Sequence, residues 1–202
     1  MKMNLRKFLA AAIFASFSIC AMGAKMAPAP QVEMKTSEGT IIIELYPNKA
    51  PVTVANFLQY VREKYYDGLI FHRVIKRFMI QGGGHNPDMT MKPPRAPIIN
   101  EASNGLKNEA GTIAMARMNA PDSASSQFFI SLVNNDALNY VSAENPGYTV
   151  FGKVISGFDV VEKIGQTKTG SVGYTSDVPL TPITIDSARV INDKQKLTRK
   201  KP

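Results

Sequence analysis

The sequence predicts an all-β domain with two helices, arranged as a closed antiparallel barrel or as a sandwich. Apolar and polar residues alternate in six or more short runs, which is typical of half-buried strands. Gly, Pro and Asn separate these runs, and only two stretches have helical periodicity. Strands and helices do not alternate regularly, which disfavours a parallel α/β sheet. With 202 residues, one domain is the favoured count.

The N-terminus has the organisation of an export signal. Three basic residues lie within the first seven positions, and an apolar run follows over Phe8–Cys20. This run is shorter than the roughly 20 residues that span a bilayer. Ala21–Ala24 then supplies small residues for a signal peptidase. We expect residues 1–24 to be a signal peptide, with a retained N-terminal anchor helix as the alternative.

Most of the positive charge lies at the two ends of the chain. Loss of the signal removes Lys2, Arg6 and Lys7, which lowers the formal net charge from +8 to +5, and it also removes the only cysteine, Cys20. Residues 193–202 form a basic C-terminal tail that carries +4 of this, so the remaining body is near neutral at +1. We therefore expect no nucleic-acid binding by the domain. Binding to an anionic surface through the tail is a further hypothesis, although such short charge runs are usually solvated.

The first half of the mature chain predicts a hairpin and a helix. A Pro/Ala linker covers 25–31, and we expect the folded domain to span 32–192. Apolar residues alternate with polar ones over 32–36 and 40–45, on either side of a short turn. Pro51 suits a first helical turn, and an apolar stripe follows it until Asp67-Gly68, where we expect the helix to end.

The second half predicts short strands, long loops and one short helix. The strands are expected at 70–74, 78–81, 112–116, 127–131, 148–155 and 183–190, the helix at 157–164, and a loop at 85–111. In the last strand the alternation changes phase at Ser187, which predicts a β-bulge there.

The residues needed for the common catalytic mechanisms are nearly absent. The mature chain has no cysteine nucleophile, and its two histidines, His72 and His85, are too few for a His-rich metal site. His85 follows a run of glycines, where a solvent-exposed side chain is expected. Gly82–Gly84 lacks the lysine and the following helix of a phosphate-binding loop, so it is interpreted as a turn. We therefore expect no cofactor and no metal.

The segment at 71–83 is the most informative in the chain. Strand alternation places His72 and Val74 on one face and Phe71 and Arg73 on the other. An arginine among so many apolar neighbours is costly unless it is paired or faces a cleft. Alternation alone also allows an ordinary surface arginine on the outside of a barrel.

Together with two later segments, this one resembles the cyclophilins. The family pattern around its catalytic arginine is intact, with Phe-His-Arg at 71–73, Phe-Met at 78–79 and Gln-Gly-Gly at 81–83. Further blocks match at 111–130 and 150–154, in the same order. The resemblance covers about residues 32–191 and is closest to the bacterial periplasmic branch. It implies a closed eight-stranded antiparallel barrel with two helices and a substrate groove on its outside.

The resemblance also implies a function and a set of site residues. The function is peptidyl-prolyl cis–trans isomerisation of proline-containing segments in unfolded or folding exported proteins, in the periplasm, without stable membrane association after signal cleavage. A holdase chaperone that uses the same groove is the alternative. Arg73 would be the catalytic residue. The substrate-binding residues would be Phe78, Met79, Phe129 and Leu138 in a proline pocket, Gln81, Gln127 and the backbone at Ala116 and Arg117 beside it, and His72 and Tyr148 along the groove.

Three positions depart from the family pattern. Lys76-Arg77 replaces the Pro-Gly that many members have between the arginine and Phe78. Ala137 occupies the position of a tryptophan in cyclosporin-sensitive members, and Tyr148 that of a groove histidine. We therefore expect weak cyclosporin binding and an altered substrate preference, with catalysis retained.

Overall fold

The computed structural model describes residues 28–192, which form ten strands and two α-helices. The strands are β1 (Gln31–Thr36), β2 (Gly39–Leu45), β3 (Arg73–Ile75), β4 (Met79–Gly82), β5 (Thr112–Met115), β6 (Phe128–Ser131), β7 (Val150–Ser156), β8 (Thr169–Val172), β9 (Thr175–Pro179) and β10 (Ile185–Val190); the helices are α1 (Pro51–Arg62) and α2 (Phe158–Gly165). The predicted signal peptide (1–24), the start of the linker and the basic tail (193–202) lie outside the described residues. No helix within 28–192 is long and apolar enough to cross a membrane.

Eight of the strands form one antiparallel sheet in the order β10-β1-β2-β7-β5-β6-β4-β3. The sheet curves through 224° and stays open, so the prediction of a closed barrel is wrong. Its two edge strands do not pair as a ladder. The chain just before β3 meets the chain just before β10 at a single bridge, between Ile70 and Thr184. Strand β3 is only three residues long, and the β8–β9 hairpin packs beside it.

The β8–β9 hairpin was not predicted from the sequence. Its first strand, Thr169–Val172, is largely exposed, and polar residues and glycine outnumber the apolar ones, so there is no apolar alternation to detect. The predicted bulge is confirmed one residue from its expected place. Lys35 pairs with Ser187 and Thr36 with Ile185, which leaves Asp186 as the extra residue in β10.

Helix α1 starts where Pro51 predicts but ends earlier than expected. The carboxylate of Glu101 accepts hydrogen bonds from the backbone N–H groups of Val52 (3.1 Å) and Thr53 (2.8 Å), which satisfies two otherwise unpaired donors at the helix start. The helix ends at Arg62, so the predicted end at Asp67-Gly68 is wrong. The cause is local, because Lys64 has a left-handed φ of +57° that no helix can continue.

The main hydrophobic core combines buried residues of the sheet and of α1. The ring of Phe57 from the helix meets the ring of Phe128 from β6 edge-on, with centroids 5.8 Å apart. Tyr66 packs on both rings, and all three side chains are fully buried. Burying a large apolar side chain contributes about 1.5–3 kcal/mol. This cluster fixes β6 from the inside and leaves its other face free for a site.

Candidate functional site

Strand register places the predicted site residues on the outer face of β3, β4 and β6. Arg73 in β3 lies opposite Gln81 in β4, and Gln81 lies opposite Phe129 in β6. Directly opposed residues of an antiparallel pair project from the same face. The next row, Val74 and Ile80, is buried in the core. The catalytic arginine predicted from the motif and the predicted pocket therefore share one face, opposite the core.

A small apolar cluster forms on this face, and it is named the apolar pocket here because the resemblance implies that the proline ring binds there. Met79 and Phe129 are buried in a small cluster separate from the main core, and the other predicted pocket residues, Phe78 and Leu138, pack against it with Ala116 and Tyr148. The rings of Phe129 and Tyr148 meet edge-on, with centroids 5.7 Å apart. Six residues predicted from distant segments thus lie together in the structure.

The pocket walls are held by backbone hydrogen bonds. Leu138 belongs to a one-turn 3-10 helix, and its carbonyl accepts from the backbone N–H of Tyr148 at 3.0 Å. On the opposite side, Phe78 donates its N–H to the carbonyl of Ile75 at 3.0 Å, which closes the β3–β4 turn. Arg77 in this turn has a φ of +60°, the left-handed conformation that favours glycine. The turn therefore has the backbone shape that a glycine would adopt, with arginine in its place.

Beside the pocket lies a cavity of about 270 Å³. The predicted residues that line it are Gln81, Ala116, Arg117 and Gln127. Nε2 of Gln81 donates to Oε1 of Gln127 at 3.0 Å, so the two amides form one polar wall. The remaining lining residues were not predicted, and they are Gly84, Met91, Lys92, Pro94, Met118, Ser123, Ser125 and Ser126.

Arg117 connects the cavity to the pocket. Its guanidinium lies 4.6 Å from the ring centroid of Tyr148, and its Nε donates to the carbonyl of Gly147 at 2.9 Å. The backbone N–H of Ala116 already donates to the carbonyl of Gln127 at 3.0 Å. A bound peptide at this point cannot use that N–H unless β5 separates from the chain before β6.

His72 does not line the groove, in contrast to what the resemblance implies. Its side chain is only 4% exposed, and its ring stacks on that of His85. The alternation seen in the sequence explains this, since His72 projects to the same side as the buried Val74. His85 is half-buried by the same contact, so the expectation of a solvent-exposed loop residue is also wrong.

Arg73 is partly exposed, with 41% of its side chain accessible. Its Nε lies 3.6 Å from Oδ2 of Asp177 in β9, an ion pair that sequence analysis missed together with the hairpin. Across the described residues, His, Cys, Asp and Glu side chains form no group of three or more that could hold a metal ion. The site is therefore an arginine, an apolar pocket and a polar wall, which suits binding and charge stabilisation.

Comparisons with known proteins agree with this arrangement. A family model described as cyclophilin type peptidyl-prolyl cis-trans isomerase matches residues 31–190. The peptidyl-prolyl cis-trans isomerase of Acinetobacter baylyi is 55% identical over 159 residues, which cover 79% of this chain and 84% of the relative. Peptidyl-prolyl cis-trans isomerase A of Dickeya dadantii is 45% identical over 189 residues, which cover 93% of this chain and 99% of the relative.

One solved structure is similar over nearly its whole length. It is a cyclophilin type peptidyl-prolyl cis-trans isomerase of Cryptosporidium parvum, crystallised in the presence of the dipeptide Ala-Pro. The TM-score is 0.66 and the sequence identity 27%, with 81% of this chain and 99% of that chain covered.

Proposed function

The chain belongs to the cyclophilin-type peptidyl-prolyl cis–trans isomerases, and we propose that Arg73 assists rotation about X–Pro bonds that are held in the outer-face groove. The observation that carries this is the register of β3, β4 and β6. It aligns Arg73, Gln81 and Phe129 in one row, so that a cation, an amide and an apolar pocket face the same ligand.

The physical difficulty of the reaction is amide resonance. Rotation about the peptide bond faces a barrier of about 18–20 kcal/mol, because the C–N partial double bond must be broken. At the twisted transition state the proline nitrogen regains a lone pair. A guanidinium N–H can donate to that lone pair, which the planar ground state does not offer. Arg73 would therefore stabilise the transition state more than the bound substrate, and this difference accelerates the reaction.

The rest of the groove would hold the two sides of the bond. Met79 and Phe129 offer an apolar surface for the proline ring, and burial of that ring favours binding. Gln81 and Gln127 offer amide donors and acceptors to the flanking backbone. If the ring is fixed while the preceding carbonyl turns, no covalent bond to the enzyme is required.

We further propose that the substrates are exported proteins and that the enzyme acts in the periplasm. The basic start, the short apolar run and the small residues at 21–24 support this. The relative from Dickeya dadantii covers 93% of the chain, and the match therefore extends beyond 31–190 into the terminal segments. Proline-containing segments of unfolded or folding chains are the proposed ligands, as the dipeptide in the Cryptosporidium parvum structure supports.

NMR exchange spectroscopy on an Ala-Pro-containing peptide tests this function. A catalytic amount of the mature protein should increase the cis–trans exchange rate of the Pro bond. A holdase would broaden or shift the peptide resonances and leave the exchange rate unchanged. The matched peptide with Ala in place of Pro is the control, because it has no ring to fill the pocket. Unaccelerated exchange with a bound peptide would contradict the isomerase proposal and favour the holdase.

A further inference from the structure

Asp177 lies in the β8–β9 hairpin and forms the only ion pair of Arg73 among residues 28–192. The distance from Oδ2 of Asp177 to Nε of Arg73 is 3.6 Å, which is that of an ion pair and is too long for a hydrogen bond. The Asp177 side chain is 36% exposed. The hairpin contributes no residue to the apolar pocket or to the cavity beside it. The contact of Asp177 with Arg73 therefore comes from outside the groove.

The backbone of the hairpin directs this carboxylate toward β3. Strand β9 packs beside β3, at the edge of the sheet that no other long strand covers. Asp177 has a φ of +61°, a left-handed conformation that Asp and Asn adopt more readily than most residues with a side chain. The next residue, Val178, is buried. The hairpin is thus anchored at the residue directly after Asp177.

The position of the contact on the guanidinium determines what remains available. Nε is at the inner edge of the group, and the two terminal nitrogens carry four further N–H donors in a planar fork. A carboxylate nearest Nε restrains the orientation of that plane, and the terminal nitrogens make no hydrogen bond within the described residues. A long, 41% exposed arginine would otherwise sample many rotamers.

We propose that Asp177 is a positioning residue, which holds Arg73 by its Nε edge so that the terminal nitrogens face the twisting bond. The inference rests on the proposed role of Arg73 and adds a residue from outside the groove. Asp177 would not touch the substrate. Loss of Asp177 would lower the cis–trans exchange rate of the bound peptide and would change the affinity for the peptide little.

Asp177→Asn is the primary variant, because it removes the charge and keeps both the size and the tolerance of a positive φ. We expect the exchange rate at saturating peptide to fall roughly threefold to tenfold, as for coupled neighbouring side chains. The peptide Kd should change by less than about twofold, since the pocket is unaltered. The Nε–Hε resonance of Arg73 should shift. Asp159→Asn makes the same charge change at an exposed position of α2, and it should leave the exchange rate and the Arg73 resonance unchanged.

A double-variant cycle separates this inference from the proposed function. Asp177→Asn added to Arg73→Ala should cause no further loss, because the residue that it positions is gone. If Arg73→Ala lowers the exchange rate but Asp177→Asn leaves it normal or raises it, the positioning role of Asp177 is overturned and the role of Arg73 stands. A normal exchange rate in Arg73→Ala would overturn the catalytic role of Arg73 and, with it, the positioning role of Asp177. A loss in Asp177→Asn that is matched by equal weakening of peptide binding and a lower Tm would show a structural role and also overturn it.

Discussion

The imidazole rings of His72 and His85 stack with their centroids 4.1 Å apart and their planes inclined by 36°. The His72 side chain is almost completely buried, directly before the strand that begins with Arg73. The pKa of His72 is lowered from 6.5 to about 3, mainly by burial and also by the nearby positive groups of His85 and Arg73. His72 is therefore neutral in the folded protein over the ordinary pH range.

This neutral histidine should make stability depend on pH. His72 takes up a proton near pH 6.5 when unfolded but only near pH 3 when folded, so the unfolded state binds more protons between these values. Stability is fully present above pH 6.5 and falls as the pH drops toward 3. Between pH 7 and pH 5 the loss due to this group should be about 2 kcal/mol.

Urea unfolding at pH 7 and pH 5 measures this effect. His72→Gln removes the titrating group, so its stability should fall less than that of the wild type between the two pH values. For each protein, the change in the free energy of unfolding between pH 7 and pH 5 is compared. A pH-independent loss of stability caused by the substitution cancels in this difference. Equal pH dependence in the two proteins would show that His72 titrates normally in the folded state.

The residues of the apolar pocket could be predicted from the sequence, but most of those that line the cavity beside it could not. Phe78, Met79 and Phe129 belong to short contiguous motifs that the family resemblance identifies, and β4 and β6 bring Met79 and Phe129 onto one face. Met91 and Met118 come from loops whose paths depend on distant contacts. Lys92, for example, is held by a 2.8 Å hydrogen bond from the hydroxyl of Tyr65 to its carbonyl oxygen. No local pattern encodes such a contact.

Sheet closure was mispredicted for a related reason. The alternation in β3 and β10 predicts strands, but it does not specify whether these two edges of the sheet meet. In the structure the β3 edge has only three residues and is accompanied by a hairpin. The placement of Asp177 beside Arg73 depends on this arrangement. It is a long-range consequence of topology, which single-strand periodicity does not contain.

Cyclosporin should bind this protein weakly. Ala137 lies exposed in the 3-10 helix that carries Leu138 into the pocket wall. A tryptophan at this position would offer a large contact area and an indole N–H donor, and alanine offers neither. Isothermal titration should therefore give much weaker binding than in tryptophan-bearing relatives. Ala137→Trp should recover part of the affinity, and tight binding by the wild type would contradict the role assigned to this position.

Export should leave a mature chain that starts at Ala24 or Lys25. The small residues at 21–24 follow the apolar run at the distance that signal peptidases use. Intact-mass analysis of protein from the periplasmic fraction is the measurement. A variant with Lys2, Arg6 and Lys7 replaced by Gln should be processed more slowly, because the basic head is lost. Full-length wild-type protein in the inner membrane would instead indicate the retained anchor.

Arg73 decides between an isomerase and a peptide binder. Arg73→Ala should stay folded and bind a Pro-containing peptide within a modest factor of the wild type, because the pocket at Met79 and Phe129 is separate from the guanidinium. Loss of one preorganised donor typically costs about 2.7–4 kcal/mol, a rate loss of roughly 10²–10³. Arg73→Lys should also be slow, since an ammonium lacks the planar fork that fixes the direction of the donors.

Phe129→Ala provides the contrasting case for the same measurement. Phe129 is 4% exposed in the pocket, so its removal should weaken peptide binding as well as lower stability by about 3–5 kcal/mol. Exchange rates at saturating peptide, peptide Kd values and thermal melts are compared for Arg73→Ala, Arg73→Lys and Phe129→Ala. The arginine variants should lose rate at nearly constant Kd and Tm, and the phenylalanine variant should lose affinity and Tm. Near-normal exchange in a folded Arg73→Ala protein would reject the catalytic role of Arg73, because the pocket alone would then account for the acceleration.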